Sequence, residues 1–312
     1  MPSLSGLSGL SGPFDLGHWW DLLLHHDRVL TLVLPFGLQV EGRGVFLFYV
    51  TLAVLALGGL AVAATRRAEL RRRWTTWVLI APVVGLPIWA GRPTTAVLAV
   101  LLAVLAVREF VLLVRLPRPE ALLLYGLAVL YPLAAWQWPD LLLLAPVVAL
   151  GCALPTLLAG DTEYGLERSA FTAFGSVWLC WSIAHLVVLW EDAFLVVFAA
   201  AAADVSAYVG GTALRRFGWA GRPLSPLSPN KTLGGLAGAV AGTVLILLVL
   251  GSLSWGLVLA VALGGVAGDL LESMLKRRAG VKDAGSWLPG FGGLLDRIDS
   301  LLVVLPLAAV LA

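Results

Sequence analysis

From about residue 44 onward, apolar runs close to twenty residues long alternate with short breaks rich in charge, proline or glycine. A membrane's hydrocarbon core is ~30 Å thick and a helix rises ~1.5 Å per residue, so runs of about this length are predicted to span it. Ten such spans are expected, approximately 44–64, 74–91, 94–113, 120–136, 140–158, 170–189, 193–214, 233–251, 254–275 and 294–311. Before them, Leu-Ser-Gly occurs three times between Leu4 and Gly12 and is followed by Pro13. This stretch is too polar to span and lacks a basic region of signal-peptide type, so residues 1 to 17 are expected to form a mobile tail. The segment from Trp19 to Leu34 is broken by Asp21, His25, His26, Asp27 and Arg28 and is expected to lie in the membrane interface. Adjacent His25 and His26 would point to different helix faces, which favours a surface role over a metal site. The expected fold is therefore all-α and polytopic, with about ten transmembrane helices. Its parts are a tail and interfacial segment (1–43), a first group of helices (44–198) and a second region (199–312) with loops at 215–232 and 276–293.

Composition agrees with the pattern. Hydrophobic residues make up 60% of the 312 residues and charged residues 13%, with a mean hydropathy of +0.93, whereas a soluble domain is ~45–50% apolar. The net charge of +2 says little, but its distribution is informative. If the ten spans are correct, seventeen Lys and Arg belong to one set of alternate loops, counting Arg297 at the edge of the last span, and three to the other, with Arg108 inside a span. The positive-inside rule puts the basic set in the cytoplasm and both termini outside. Cys152 and Cys180 lie in apolar spans and read as small hydrophobes, not a disulfide. No zinc spacing, Ser-His-Asp arrangement or soluble nucleotide-binding pattern is present, and nothing suggests a nucleic-acid partner.

Charge is scarce, yet it concentrates between Gly268 and Ser300, GDLLESMLKRRAGVKDAGSWLPGFGGLLDRIDS. On a helix Asp269, Ser273 and Lys276 share one face, and Asp296 and Asp299 share another. Between them lie Arg277, Lys282 and Asp283, and Arg297 follows Asp296. Gly292 and Gly293 would allow close approach of backbone to a ligand. Carboxylates for a divalent cation beside lysines and arginines for phosphate suit metal-assisted phosphoryl or nucleotidyl transfer. Asp204 follows five alanines inside a span, and an ionisable group at that depth is a functional candidate. In the loop RPLSPLSPNKTLGG, Ser228, Lys231 and Thr232 offer hydroxyls and an ammonium for phosphate. Elsewhere the bland readings lead. Arg108 and Glu109 read as a snorkelling pair that fixes helix position, His185 as a packed histidine, and the loop from Gly160 to Ser169 as solvated. Gly234, Gly238 and Gly242, and likewise Gly264 and Gly268, form small-residue faces for internal helix packing, ahead of a homodimer contact.

The 268–300 stretch resembles the signature of the CDP-diacylglycerol synthases, the phosphatidate cytidylyltransferases. Ser273, Lys276-Arg277, Lys282-Asp283, Pro-Gly-x-Gly-Gly and Asp296-Arg297-x-Asp299 keep the family's spacing. Asp204 with Ala207, Tyr208 and Gly210, the Ser228-Pro-x-Lys231-Thr232 segment, and Arg108-Glu109 have similar counterparts. Two positions depart: Phe291 stands where the family usually has His, and Gly234 where it usually has Glu. The resemblance implies a cell (inner) membrane enzyme with its catalytic region at 199–312 and its site on the cytoplasmic side. It implies CTP and phosphatidate, or a related acidic phospholipid, as substrates and one or two Mg²⁺ ions as cofactor. Asp269, Asp296 and Asp299 would hold the metal. Asp204, Lys231, Lys276, Arg277, Lys282, Asp283 and Arg297 would be catalytic, and Ser228, Thr232, Ser273, Gly292 and Gly293 would contact the nucleotide. The two departures imply a divergent paralogue with a different or broader lipid acceptor. A CTP-dependent lipid kinase, an inactive relative with a partner role, and a transporter remain as alternatives. A transporter would be expected to show internal repeats or broken helices in both halves, whereas the charge here sits in the second. A CDP-lipid phosphatidyltransferase would need an Asp-x-x-Asp-Gly-x-x-Ala-Arg segment, which is missing.

Overall fold

The computed structural model describes residues 31–33, 39–41, 43–65, 68–285 and 292–312. The tail, most of the interfacial segment with His25 and His26, and Phe291 lie outside the described residues. The chain opens with a small antiparallel pair, β1 (Thr31–Val33) and β2 (Gln39–Glu41), in which Leu32 faces Val40. All other regular structure described is helical: α1 (Arg43–Thr65), α2 (Ala68–Trp89), α3 (Arg92–Val114), α4 (Arg118–Gln137), α5 (Pro139–Ala159), α6 (Gly165–Val188), α7 (Ala193–Ala213), α8 (Leu233–Val249), α9 (Trp255–Arg278), α10 (Leu295–Ile298) and α11 (Leu301–Leu311). Single 3-10 turns interrupt the connections.

Each of the ten expected stretches is helical, but the count of ten spans is not reproduced. Among the described residues six helices are long and apolar enough to cross a membrane, from α3 to α7 and α9, while α8 and parts of α1 and α2 are shorter apolar helices. The protein is thus an all-α membrane protein apart from the β1–β2 pair. The largest departure is the last stretch, where α10 ends after four residues and α11 begins beyond a turn at Asp299 and Ser300. Polar residues cause the break: Ser300 N–H donates to its neighbour Asp299 Oδ1 at 2.9 Å.

Helix ends follow local chemistry. Prolines sit in the first turns of α3 and α4, where a missing N–H costs nothing. Thr232 caps α8 by accepting from Gly235 N–H at 3.2 Å, and Ser254 caps α9 by accepting from Leu257 N–H. Within α6, residues Ser176–Trp181 form a π-helical turn, and His185 is buried with its Nδ1 2.9 Å from the Trp181 carbonyl. Cys152 and Cys180 are buried and free.

In lipid there is little hydrophobic drive between helices, so close packing of small residues decides who neighbours whom. Ala96, Ala99, Ala103 and Ala106 are fully or almost fully buried along α3 and share a core with Ala128 and Ala135 of α4. That core takes in Leu275, Leu295, Ile298 and Leu302 from the last third of the chain. A second core joins α7, α8, α9 and α11. Here α7 and α8 meet glycine to glycine: a Cβ at Gly210 would lie 2.6 Å from Gly238 Cα and 2.8 Å from the Gly234 carbonyl. On α9, Gly264 packs on the Val304 backbone and Gly268 on Asp299 and Ser300. The glycine faces therefore pack inside the chain, and the second one seats the α10–α11 turn directly against α9.

Candidate active site

The close seat at Gly268 determines what meets what. Along α9, Asp269, Glu272, Ser273 and Lys276 recur at helical spacing on one face. The turn held against Gly268 lays Ser300 beside Asp269, and its hydroxyl donates to Asp269 Oδ1 at 2.9 Å. The other Asp269 oxygen pairs with Lys231. Lys231 reaches it because the 215–232 loop folds back on itself: Leu224 N–H donates to the Lys231 carbonyl at 2.7 Å, and Leu233 N–H to Arg222 at 3.0 Å. Lys276 Nζ bridges Glu272 and Asp296, the latter at 2.8 Å. Asp296 Oδ2 also accepts from the backbone of Gly293 at 2.8 Å and of Ala284 at 3.0 Å. Each carboxylate thus meets a cation or several donors, as buried charge requires.

These groups line a cavity of about 230 Å³. Its carboxylates are Asp269, Glu272, Asp283, Asp296 and Asp299, and its cations Lys231, Lys276 and Arg297, with Ser273 among them. Eight of the residues expected from sequence therefore come together. Asp204 on α7 is not in the lining, but it feels the charges of Lys231 and Arg297. Arg277 and Lys282 are exposed outside the cavity wall. Ser228 lies in the turn that leads to Lys231, whose N–H donates to its carbonyl at 3.0 Å, and the Thr232 hydroxyl is engaged as the α8 cap. Gly292 and Gly293 are close to carboxylates: a Cβ at Gly292, whose φ is +79°, would lie 2.7 Å from Asp296 Oδ2, and one at Gly293 would lie 2.6 Å from both Glu109 oxygens.

Two residues were not given their place by sequence reasoning. Glu272 is only 2% exposed and its Oε1 has no partner among the described residues. Its position three after Asp269 and four before Lys276 was the available signal. Glu109 was read with Arg108 as one snorkelling pair, yet Arg108 is exposed while Glu109 is 3% exposed. Consecutive helical residues point about 100° apart, and Glu109 is the one turned inward. The Gly160–Ser169 loop is largely exposed, as expected of a solvated connection, and it also carries bonds of its own. Asp161 accepts from Tyr164 N–H at 2.9 Å and pairs with Arg168 at 2.6 Å. The Tyr164 N–H, then Arg168 and further backbone donors, hold its carboxyl below the usual aspartate range against the opposing effect of desolvation.

Fold and site together define a polytopic helical membrane protein with a cavity of hard oxygen donors, lysines and an arginine at one end of its bundle. The sequence model of the Cytidylyltransferase family matches residues 71–312, and the chain belongs to that family. It is 40% identical over 157 residues to a phosphatidate cytidylyltransferase of Helicobacter pylori, covering 48% of this chain and 52% of that protein. The corresponding enzyme of Synechocystis is 45% identical over 117 residues, 34% of this chain and 38% of that one. The Escherichia coli protein YnbB, described as uncharacterized, is 31% identical over 260 residues, 76% of this chain and 85% of that one. Against the Helicobacter protein the chain spans about half the relative's length.

Proposed function

We propose that this chain is a membrane-embedded cytidylyltransferase that converts CTP and phosphatidate, or a related acidic phospholipid, into a CDP-lipid and pyrophosphate on the cytoplasmic side of the cell membrane. The observation that carries the reading is the joining of Lys231, Lys276 and Arg297 with five carboxylates in one small cavity, in a family whose Helicobacter and Synechocystis members are phosphatidate cytidylyltransferases. An oxygen of the lipid phosphate bonds to the α-phosphorus of CTP. The bond from that phosphorus to the bridging oxygen breaks, and pyrophosphate leaves with the electron pair. A phosphate monoester is already ionised at neutral pH, so no general base is required. The protein supplies position and charge neutralisation. Lys231 and Arg297 sit where they can meet phosphate oxygens, while Lys276 holds Glu272 and Asp296 together.

Among the described residues no three His, Cys, Asp or Glu are grouped as a ready metal cage. The donor set nevertheless fits a hard divalent cation, being all oxygen, with the buried Glu272 Oε1 lacking a partner. Asp269, Asp296 and Asp299, joined by Glu272, would hold one or two Mg²⁺ ions, which when bound supply charge neutralisation of the triphosphate. Lys231 and Lys276 meanwhile pair with Asp269, Glu272 and Asp296, and with Arg297 they set three cations against the five carboxylates of the lining.

The test is purified protein with Mg²⁺, labelled CTP and a panel of phospholipids, with products identified by mass. A CDP-lipid with pyrophosphate is expected. Release of CDP with a phosphorylated lipid would make the protein a kinase, and turnover of no acceptor would sink the enzymatic reading. Cysteine labelling is expected to find positions 222 and 278 on the cytoplasmic face and position 312 on the other, and a cytoplasmic position 312 would overturn that sidedness.

A further inference from the structure

Glu109 is a carboxylate of the first half of the chain that is spent on the second. It lies near the end of α3, almost fully buried, and its two oxygens divide between two successive backbone amides: Oε1 accepts from Leu294 N–H at 2.8 Å and Oε2 from Leu295 N–H at 2.7 Å. These are amides at the start of α10, among those that a helix leaves without internal partners. One charged acceptor facing two aligned donors is a strong and directional arrangement. Two glycines complete it. A Cβ at Gly285 would stand 2.8 Å from Glu109 Oε1 and 3.0 Å from Gly293 Cα, and a Cβ at Gly293 would stand 2.6 Å from both Glu109 oxygens. The two backbone strands that flank residues 286–291 are therefore drawn together against one carboxylate. Neither glycine has a positive φ, so backbone conformation does not explain them and the proximity of Glu109 does.

What the clamp holds is the cavity wall. Gly293 and Ala284, each next to one of the clamped glycines or one itself, donate their N–H groups to Asp296 Oδ2. The following residues carry Asp296, Arg297 and Asp299 into the site. We propose that Glu109 is a positioning residue: it touches no substrate in this arrangement, but it fixes the 284–285 and 292–295 backbone that orients Asp296 for the transfer. The proposal rests on the cytidylyltransferase reading for its effect on rate, and on geometry alone for its effect on the backbone. It also gives the first group of helices a direct part in the site, which an anchoring role in the bilayer would not.

The experiment uses the full chain in detergent or proteoliposomes and compares wild type with Glu109→Gln, Gly293→Ala and Glu109→Ala, the last also combined with Gly293→Ala. Glutamine keeps one acceptor and the shape, so folded yield and melting temperature are expected to stay near wild type. A displacement near 1 Å at a reacting group lowers rate by about 10²-fold, and kcat of Glu109→Gln is expected to fall between about ten- and a hundredfold. KM for the lipid should change little. Hydrogen exchange at Gly293, Leu294 and Leu295 should speed up in the same variant, whether or not the protein proves to be a transferase. Gly293→Ala should impair wild type but add nothing to Glu109→Ala, because the clash is with the carboxylate itself. Unchanged exchange in Glu109→Gln would overturn the clamp, and so would lost yield with unchanged kcat per folded molecule. Additive effects of Gly293→Ala and Glu109→Ala would do the same. If exchange responds as expected and no acceptor turns over in wild type, the functional reading fails while the clamp stands.

Discussion

Lys276 neutralises two carboxylates at once, and its removal makes the clearest stability test of the site. The side chains of Glu272 and Asp296 are 3% and 5% exposed, and Lys276 itself 15%, so solvent gives little screening. Changing Lys276 to Ala leaves two buried carboxylates sharing the volume vacated by an ammonium. One of them must then take up a proton or draw in water. Breaking a buried pair by removing one partner costs about 3–5 kcal/mol. At about 2–4 °C per kcal/mol for chains of 150–250 residues, a fall in apparent melting temperature of about 6–20 °C follows. The assay is thermal unfolding of the purified variant in detergent. Adding Glu272→Gln to Lys276→Ala should recover part of the loss, because a neutral amide no longer repels Asp296, whereas Glu272→Gln alone should cost less than Lys276→Ala. If Lys276→Ala melts with wild type, or if Glu272→Gln deepens its loss, the charge-bridge account is wrong.

Three further outcomes follow from the packing and the loops. Gly268→Ala would place a methyl 2.9 Å from Ser300 Cα and against the Asp299 carbonyl, so it should lower both melting temperature and activity, with a cost of about 1–3 kcal/mol typical of overpacking; an inert substitution in an unfolding assay would contradict the close seat. Gly234→Glu, which would bring back the residue usual in the synthases, should destabilise and not improve the protein, because a Cβ there meets Ala220 Cβ at 3.0 Å and the Ala220 carbonyl at 3.1 Å; equal or better yield and turnover would refute this. Asp161 has a depressed carboxyl pKa in the folded protein, so its stabilising effect is complete above the unfolded aspartate pKa of about 3.9 and is lost as pH falls through the lower folded value; exchange of the Tyr164 amide should quicken over that acid window in wild type and show no such step in Asp161→Asn.

The sequence alone determined that this is a helical membrane protein, where its apolar helices run and which polar residues are conspicuous enough to be candidates for its site. Those properties are local: spans follow from run length, and an acidic or basic residue is conspicuous in a chain this apolar. Asp269, Ser273 and Lys276 could be put on one face because helical periodicity requires nothing beyond the helix itself. The same rule would have reached Glu272, had the face been completed at every third and fourth position. What the tertiary structure decided was pairing across the chain. That Lys231 meets Asp269, that Lys276 bridges to Asp296, and that Glu109 serves a loop 185 residues onward depend on which helices touch. Those contacts depend in turn on Gly210 against Gly238 and on Gly268 against Ser300. A glycine face announces that something approaches, but not what, because every small-residue stripe looks alike until its neighbour is known. The break between α10 and α11 escaped for a related reason. An apolar average over 294–311 reads as one span, while the Asp299–Ser300 turn is held by contacts with α9 that no window along the chain can contain.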